Sequence, residues 1–169
     1  LESFNVPIYK IASFEITDYK LIKYIASKKK PIIISTGMAS IKEVKKAIQI
    51  IGKFHKKIII LHCVSGYPTK LEDTNLSRIN LLKKEFKNYM VGLSDHTDGI
   101  SSSIASVSLG VVAIEKHYKL NDNIETTDSR FSIKPKELFE MKKITQKLSS
   151  SLYNQKKRNL EVASKKLRR

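Results

Sequence analysis

The segment Pro31-Ile-Ile-Ile-Ser-Thr-Gly-Met38 is a short apolar run that ends in a polar cluster. Four other apolar runs behave in the same way, and they cover residues 8–12, 58–61, 91–93 and 111–114. Each gap between these runs contains one helix-like segment. Strands that are too apolar to alternate, and that are separated by helices, are typical of a buried parallel sheet. The sequence therefore predicts an α/β protein with five parallel strands.

The polar clusters combine hydroxyls, carboxylates, an amine and imidazoles, and they cover residues 10–15, 35–38, 62–67, 94–97 and 115–117. The carboxyl ends of parallel strands meet at one edge of a sheet, which is where α/β enzymes place their active sites. The five clusters therefore predict an active-site rim, and this makes the chain an enzyme candidate.

Helix signals separate the runs. Thr17 or Asp18 can cap a first helix that ends near Ser27, and Ser40 with Glu43 has the spacing of a capping box. Three further helices are predicted over residues 75–86, 101–109 and 136–152. Five strand–helix units are fewer than the eight of a closed (β/α)8 barrel, but they would complete an open five-stranded sheet of flavodoxin type. Both architectures are compatible with this periodicity.

Composition is that of a globular protein, with 41% apolar residues in a chain of 169. Apolar stretches stay well short of the roughly 20 residues that span a bilayer, and no export leader is recognisable. A single cysteine, Cys63, cannot form an internal disulfide. We therefore expect a cytoplasmic protein without a membrane partner.

The formal charge of +16 is unevenly distributed. Residues 134–169 contain 12 Lys/Arg and 3 Asp/Glu, which places +9 in that segment. Such a tail could contact phosphates, so a basic nucleic-acid-binding module is one functional alternative. The chain has no aromatic stacking platform beside the charge, which favours solvated lysine-rich helix faces over nucleic acid.

Five motifs, taken together and in this order, resemble the sialic acid synthase family, whose members make N-acetylneuraminate, legionaminate and pseudaminate. They are Tyr9-Lys-Ile-Ala-Ser-Phe-Glu15, Pro31-Ile-Ile-Ile-Ser-Thr-Gly-Met38, Leu61-His-Cys-Val-Ser-Gly-Tyr-Pro68, Gly92-Leu-Ser-Asp-His-Thr97 and Ile114-Glu-Lys-His117. The resemblance implies that residues 1–150 are strands four to eight of a (β/α)8 barrel. It also implies that residues 151–169 form a basic linker toward an antifreeze-like (SAF) domain. The family's first-strand motif, Glu-Ile-Gly-x-Asn-His, is not found, so we expect a fragment that is inactive by itself.

The same resemblance implies a reaction. Members of the family condense phosphoenolpyruvate with an open-chain N-acetylated amino sugar and release phosphate. The resemblance also implies a metal-dependent enzyme that is a homodimer in its full-length form. By resemblance, His96 and His117 would bind the divalent metal, Mn²⁺ or Mg²⁺. Two imidazoles with water completing the coordination shell leave positions open for a substrate. The alternative for either histidine is a hydrogen-bonded core residue.

The remaining site residues are also implied by the resemblance. Glu15 matches the catalytic carboxylate, although by itself it could be a helix-end charge. Residues that match phosphoenolpyruvate contacts are Lys10, Ser13, Ser35, Ser65 and Ser94. Sugar contacts, or residues that orient the site, are Tyr67, Asp128 and Glu115.

Two questions stay open at the level of the sequence. Lys10 at a strand end could instead be the Schiff-base lysine of an aldolase on a related barrel. The sugar could be N-acetylmannosamine or a diacetamido hexose. Phe14 and the segment Asp128-Ser-Arg-Phe-Ser132 look closer to pseudaminic acid synthases, whereas His62 looks closer to the other branches. We expect a diacetamido sugar.

Overall fold

The computed structural model describes residues 2–123 and 125–153. Its centre is a five-stranded parallel sheet whose spatial order follows the order of the chain. The strands are β1 (Tyr9–Ile11), β2 (Ile32–Ser35), β3 (Ile58–Cys63), β4 (Met90–Asp95) and β5 (Ile114–Lys116). Every neighbouring pair is parallel, as the apolar runs predict.

One helix follows each strand: α1 (Tyr19–Ser27), α2 (Ile41–Gly52), α3 (Arg78–Glu85), α4 (Ser101–Ser108) and α5 (Pro135–Tyr153). Short 3₁₀ helices cover Glu2–Phe4, Ser13–Glu15, Leu71–Asp73 and Ser129–Phe131. Buried Ile and Val side chains of the first four strands and of the helices behind them form the core. Among the described residues, no helix has both the length and the apolar character needed to cross a bilayer.

The sheet is strongly curved. Lys10 on β1 and Glu115 on β5 lie on opposite edge strands, yet Lys10 Nζ is 2.8 Å from Glu115 Oε1. Edge strands of a flat five-stranded sheet would be about 19 Å apart, because neighbouring strands are about 4.8 Å apart. The strand order also lacks the reversal of a flavodoxin-type sheet. The partial (β/α)8 barrel is therefore confirmed, and the open-sheet alternative is wrong.

Two predicted helix starts are confirmed by their caps. Asp18 accepts a hydrogen bond from the backbone N–H of Leu21, and Ser40 forms the capping box with Glu43. The third helix begins at Arg78, later than the predicted residue 75. Asn75 has a φ of 43°, and this left-handed conformation cannot continue into a right-handed helix. The fourth and fifth helices agree with prediction to within one residue at each end.

The fifth strand is displaced from its predicted position, since the apolar run covers residues 111–114 and β5 covers Ile114–Lys116. An apolar pattern does not reveal this strand, because two of its three residues are charged. Glu115 is paired with Lys10, and Lys116 is paired with Asp95. Helix α5 continues to Tyr153, three residues into the segment predicted as a linker. The rest of that segment, 154–169, lies outside the described residues.

Candidate active site

The two candidate metal ligands lie side by side. His96 directly follows β4, His117 directly follows β5, and the strand register pairs the preceding residues, Asp95 and Lys116. The centroids of the two imidazole rings are 5.2 Å apart. The structure therefore brings together the two histidines that the strand-end pattern places on one rim.

A hydrogen bond determines which ring nitrogen of His96 is the donor. Its Nδ1 lies 2.9 Å from the carbonyl oxygen of Val64. A carbonyl oxygen only accepts, so Nδ1 is the donor, and in the neutral imidazole Nε2 carries the lone pair that can bind a metal. Beside it, His117 Nδ1 is 3.5 Å from Asp128 Oδ2. Burial, reinforced by the neighbouring His96, lowers the pKa of His117, which favours a neutral imidazole at pH 7.

Two aromatic rings surround the histidines. The ring of Tyr67 is 4.3 Å from that of His96, and the ring of Phe131 is 4.9 Å from that of His117. Phe131 is only 2% exposed, so it supports the imidazoles from below the surface. Burial raises the pKa of the Tyr67 hydroxyl, which therefore stays protonated. Sequence reasoning placed Tyr67 at the site but gave Phe131 no role, although Phe131 lies in the segment 128–132 that it examined.

A second cluster joins the two edge strands. Glu115 Oε1 accepts hydrogen bonds from Lys10 Nζ at 2.8 Å and from Ser94 Oγ at 2.7 Å. Burial would raise the pKa of the Glu115 carboxyl, but the hydrogen bonds from Lys10 and Ser94 outweigh it, and the pKa is lowered. Glu115 is therefore ionised at neutral pH. The lysine, the serine and the carboxylate predicted from three different motifs form one charged network.

Three more of the predicted serines follow or end strands on the same rim, and two of them, Ser13 and Ser65, lie near one another. Ser13 Oγ donates to Cys63 Sγ, while the hydroxyls of Ser35 and Ser65 are buried and have no hydrogen-bond partner among the described residues. A Cβ at Gly37 would lie 2.4 Å from Ser13 Oγ and 2.6 Å from Ser65 Oγ. Glycine is therefore required between these two serines. Hydroxyls in this arrangement fit the oxygen atoms of a phosphate or carboxylate group.

Glu15 lies in the 3₁₀ helix that follows β1, on the same rim. Its Oε2 accepts a hydrogen bond of 2.8 Å from the backbone N–H of Ala12. This local contact supports the turn that carries Ser13. It is the contact expected of a helix-end carboxylate, and the catalytic role of Glu15 stays a prediction.

His62 and Cys63 do not form a shared ligand pair. His62 Nε2 bonds the carbonyl oxygen of Thr74 at 2.7 Å, whereas Cys63 contacts Ser13. Successive residues of a strand point to opposite faces of the sheet, so the two side chains diverge. A cleft of about 730 Å³ extends beside them and includes Ser65 and Arg78 in its lining. This cleft continues outward from the serine cluster.

Two residues that sequence reasoning left without a role form a buried ion pair next to the histidines. Lys116 Nζ is 3.2 Å from Asp95 Oδ2, and the two side chains are 2% and 1% exposed. Both residues lie inside quoted motifs, Gly92–Thr97 and Ile114–His117, but strand-end position alone does not distinguish a buried partner from a rim residue.

The donor set can be tested for a metal ion. Among residues 2–123 and 125–153, no group of three or more His, Cys, Asp or Glu side chains is arranged to hold one. The histidine pair offers two imidazoles, of which His96 presents Nε2. This set fits a divalent cation that takes its remaining ligands from water and substrate, and it does not fit a closed structural zinc site.

Comparison with known proteins gives the family. A model described as the NeuB family matches residues 1–157. The uncharacterized protein MJ1065 of Methanocaldococcus jannaschii is 46% identical over 142 residues, which are 83% of this chain and 42% of the relative. Pseudaminic acid synthase of Helicobacter pylori is 46% identical over 134 residues, 79% of this chain and 39% of the relative. N,N'-diacetyllegionaminic acid synthase of Campylobacter jejuni is 41% identical over 141 residues, 82% of this chain and 42% of the relative. The chain thus spans about two fifths of the length of these relatives.

Solved structures agree with this result. The N-acetylneuraminic acid synthetase of Leptospira borgpetersenii, crystallised with citrate, has a TM-score of 0.87 and 36% identity. The match covers 93% of this chain and 55% of that one. A truncated 3-deoxy-D-arabino-heptulosonate 7-phosphate synthase of Thermotoga maritima has a TM-score of 0.74 at 19% identity, covering 87% of this chain and 60% of that one, and shows likeness of fold alone.

Proposed function

The chain belongs to the NeuB family, and we propose that it carries the catalytic rim of a nonulosonic acid synthase. The proposed reaction condenses phosphoenolpyruvate with an N-acetylated amino sugar and releases phosphate. The observation that carries the proposal is the joining of Lys10, Ser94 and Glu115 from three strands into one network on the rim that also holds the two histidines. Support also comes from relatives of this family that are named as synthases.

Phosphoenolpyruvate suits the lysine and the serines. Lys10 supplies one positive charge at the open face of the sheet, and Glu115 holds its ammonium in place. The buried hydroxyls of Ser35 and Ser65 can donate to phosphate or carboxylate oxygens. Hydroxyls that lack partners within the protein bind an anion without first breaking an internal hydrogen bond.

In this proposal His96 and His117 hold the divalent cation, Mn²⁺ or Mg²⁺. When bound, the cation acts as a Lewis acid toward the aldehyde oxygen of the sugar. The chain's own contribution is to aim both imidazoles. The carbonyl of Val64 orients His96, and burial favours the neutral form of His117. Phe131 excludes water from one side of the pair.

The sugar would lie near Tyr67 and Asp128, which approach the histidines from two sides. The proposed role of Glu15 is to stabilise positive charge that develops after the enol carbon attacks the aldehyde, or to accept a proton from the attacking water. A diacetamido hexose is the first substrate to test, since one relative is named an N,N'-diacetyllegionaminic acid synthase.

Two substitutions test the proposal in the complete gene product. His96→Ala should abolish tight Mn²⁺ binding and turnover together, because one of two protein ligands is lost. Glu15→Gln should leave Mn²⁺ and phosphoenolpyruvate binding intact while turnover falls by roughly 100-fold or more. Metal titration, phosphoenolpyruvate calorimetry and phosphate release measure the three quantities.

His55→Gln is the matched control, since His55 precedes β3 at the opposite end of that strand from Cys63, and it should change none of the three quantities. Unchanged Mn²⁺ binding in His96→Ala would contradict the metal site. Near-normal turnover in Glu15→Gln would leave Glu15 as the support of its own turn.

The Schiff-base alternative is disfavoured by the same network. Lys10 Nζ is engaged in an ion pair with Glu115, whereas a Schiff-base lysine must present a free amine to its carbonyl substrate. Borohydride treatment with a keto acid should therefore leave Lys10 unmodified. Covalent trapping on Lys10 would reverse this assignment.

Location and assembly are part of the proposal as well. Cys63 is free and buried, which fits a reducing compartment, and we propose a cytoplasmic homodimer. Sedimentation of the complete gene product measures the assembly, and a monomer would contradict it.

A further inference from the structure

The ion pair between Asp95 and Lys116 lies behind the proposed metal site. Ser94 and Glu115 meet on the inner face of the sheet. Because side chains alternate along a strand, the next residues, Asp95 and Lys116, point to the outer face, toward α4. The contact between Asp95 Oδ2 and the buried Ser103 Oγ, at 2.6 Å, confirms that direction.

Both charges have several partners. Asp95 Oδ1 accepts from the backbone N–H and the hydroxyl of Thr97, at 2.9 and 2.8 Å. Lys116 Nζ donates to the carbonyl oxygen of Thr97 as well as to Asp95. A buried charge that keeps this many directed contacts is held in one position. The pair therefore joins the end of β4, the end of β5 and the helix α4.

The position of this ion pair in the sequence links it to the two candidate metal ligands. Each member is the residue directly before a candidate ligand, His96 or His117, and the two members are register partners. Strand β5 has only three residues, so few ladder hydrogen bonds set its end against β4. Fixing Asp95 to Lys116 fixes the backbone positions from which both imidazoles project.

We propose that Asp95 and Lys116 are positioning residues, which set the separation and aim of His96 and His117 and through them the metal affinity of the site. This inference rests on the proposed function for its link to metal, but the positioning itself can be measured without a metal. It assigns a role to an ion pair whose side chains are 2% and 1% exposed, and to the buried Ser103 of α4, whose hydroxyl bonds Asp95.

The test is the double variant Asp95→Asn/Lys116→Met in the complete gene product. Both charges are removed together, so neither is left unpaired in the interior. We expect the Kd for Mn²⁺ to rise roughly 10- to 100-fold, as for other residues that orient metal ligands. In the metal-free protein with ring-labelled histidine, the nuclear Overhauser contact between the His96 and His117 rings should weaken.

Two further variants make the test decisive. Lys45→Met/Glu85→Gln removes an exposed ion pair of 2.8 Å between α2 and α3, and it should change neither quantity. Ser103→Ala removes one contact to Asp95 and keeps both charges. If the double variant does not fold, Ser103→Ala is the deciding variant for the positioning role. Its Kd for Mn²⁺ should rise a few-fold, roughly the effect of losing one hydrogen bond.

The outcomes separate the two proposals. Wild-type Mn²⁺ affinity in the double variant, or in Ser103→Ala when the double does not fold, overturns the positioning role while His96→Ala still reports on the metal site. If His96→Ala also binds Mn²⁺ normally, the metal proposal fails. The contact between the His96 and His117 rings in the metal-free protein then tests the positioning role by itself. Loss of that contact in the deciding variant supports positioning, and its retention overturns it.

Discussion

Strand β5 carries one member of each of two lysine–carboxylate pairs, on its two faces. Glu115 pairs with Lys10 at 2.8 Å on the inner face, where the side chains are 39% and 32% exposed. Lys116 pairs with Asp95 at 3.2 Å on the outer face, where they are 2% and 1% exposed. The chemistry is the same, and only the environment differs. An accessible pair can exchange its partner for a ligand, whereas a buried pair holds the fold in one arrangement.

The largest expected effect is the difference in stability between variants of the two lysines. Lys116→Met leaves Asp95 charged and buried, so the free energy of unfolding should fall by about 3–5 kcal/mol. Lys10→Met removes a partly exposed charge and should cost at most about 1 kcal/mol. Urea denaturation of both variants measures the difference. Equal losses of stability in the two variants would show that the two ion pairs are energetically equivalent, which would contradict this prediction.

Phosphoenolpyruvate binding should depend on Lys10. Lys10→Met should weaken phosphoenolpyruvate binding roughly tenfold or more, since a hydrogen bond to a charged group contributes about 1.5–3 kcal/mol. Lys42→Met on the exposed surface of α2 is the control. Calorimetry with phosphoenolpyruvate gives the affinity, and a Lys10 variant with the control's affinity would place the anion elsewhere.

Two serines extend the comparison from ion pairs to hydroxyls. Ser103→Ala should destabilise the protein by about 1–2 kcal/mol, because its hydroxyl bonds the buried carboxylate of Asp95. Ser35→Ala removes a buried hydroxyl that has no partner among the described residues, so it should leave stability unchanged or slightly raised while weakening phosphoenolpyruvate binding. Thermal unfolding compares the two, and a large loss in Ser35→Ala would argue for a structural hydroxyl.

The smallest effect concerns pH and Glu115. Its pKa is lowered in the folded protein from the usual 4.5, so its charge contributes stability above that value, and the contribution is lost as the pH falls through the folded pKa. The stability difference between the wild type and Glu115→Gln should be constant from pH 7 to about 5 and should shrink as the pH falls from the usual 4.5 through the lowered pKa of Glu115. Urea denaturation across this range measures it. If the stability difference grew on acidification, its pH dependence would have the opposite sign, and the network around Glu115 would not be its cause.

Much of the arrangement of the candidate site was predictable, because strand-end residues share one edge of a parallel sheet. His96, His117, Ser94 and Lys10 follow from that rule together with the family resemblance. Phe131, Asp95 and Lys116 did not follow from it. Nothing local to a charged residue indicates that it will be buried, and the apolarity of a phenylalanine does not indicate which side chains it will contact. The start of α3 was placed too early, since Asn75 adopts a left-handed conformation, which asparagine tolerates better than most residues.

The sequence by itself determined the alternation of buried strands with helices and the polar residues that follow each strand. The spacing of apolar side chains controls which segments can be buried, and this information is local. Only the tertiary structure decided that Lys10 meets Glu115 across 105 positions of chain, and that Lys116 faces the opposite side from Glu115. Those contacts depend on the curvature of the whole sheet and on the register between β4 and β5, and both are properties of many residues acting together.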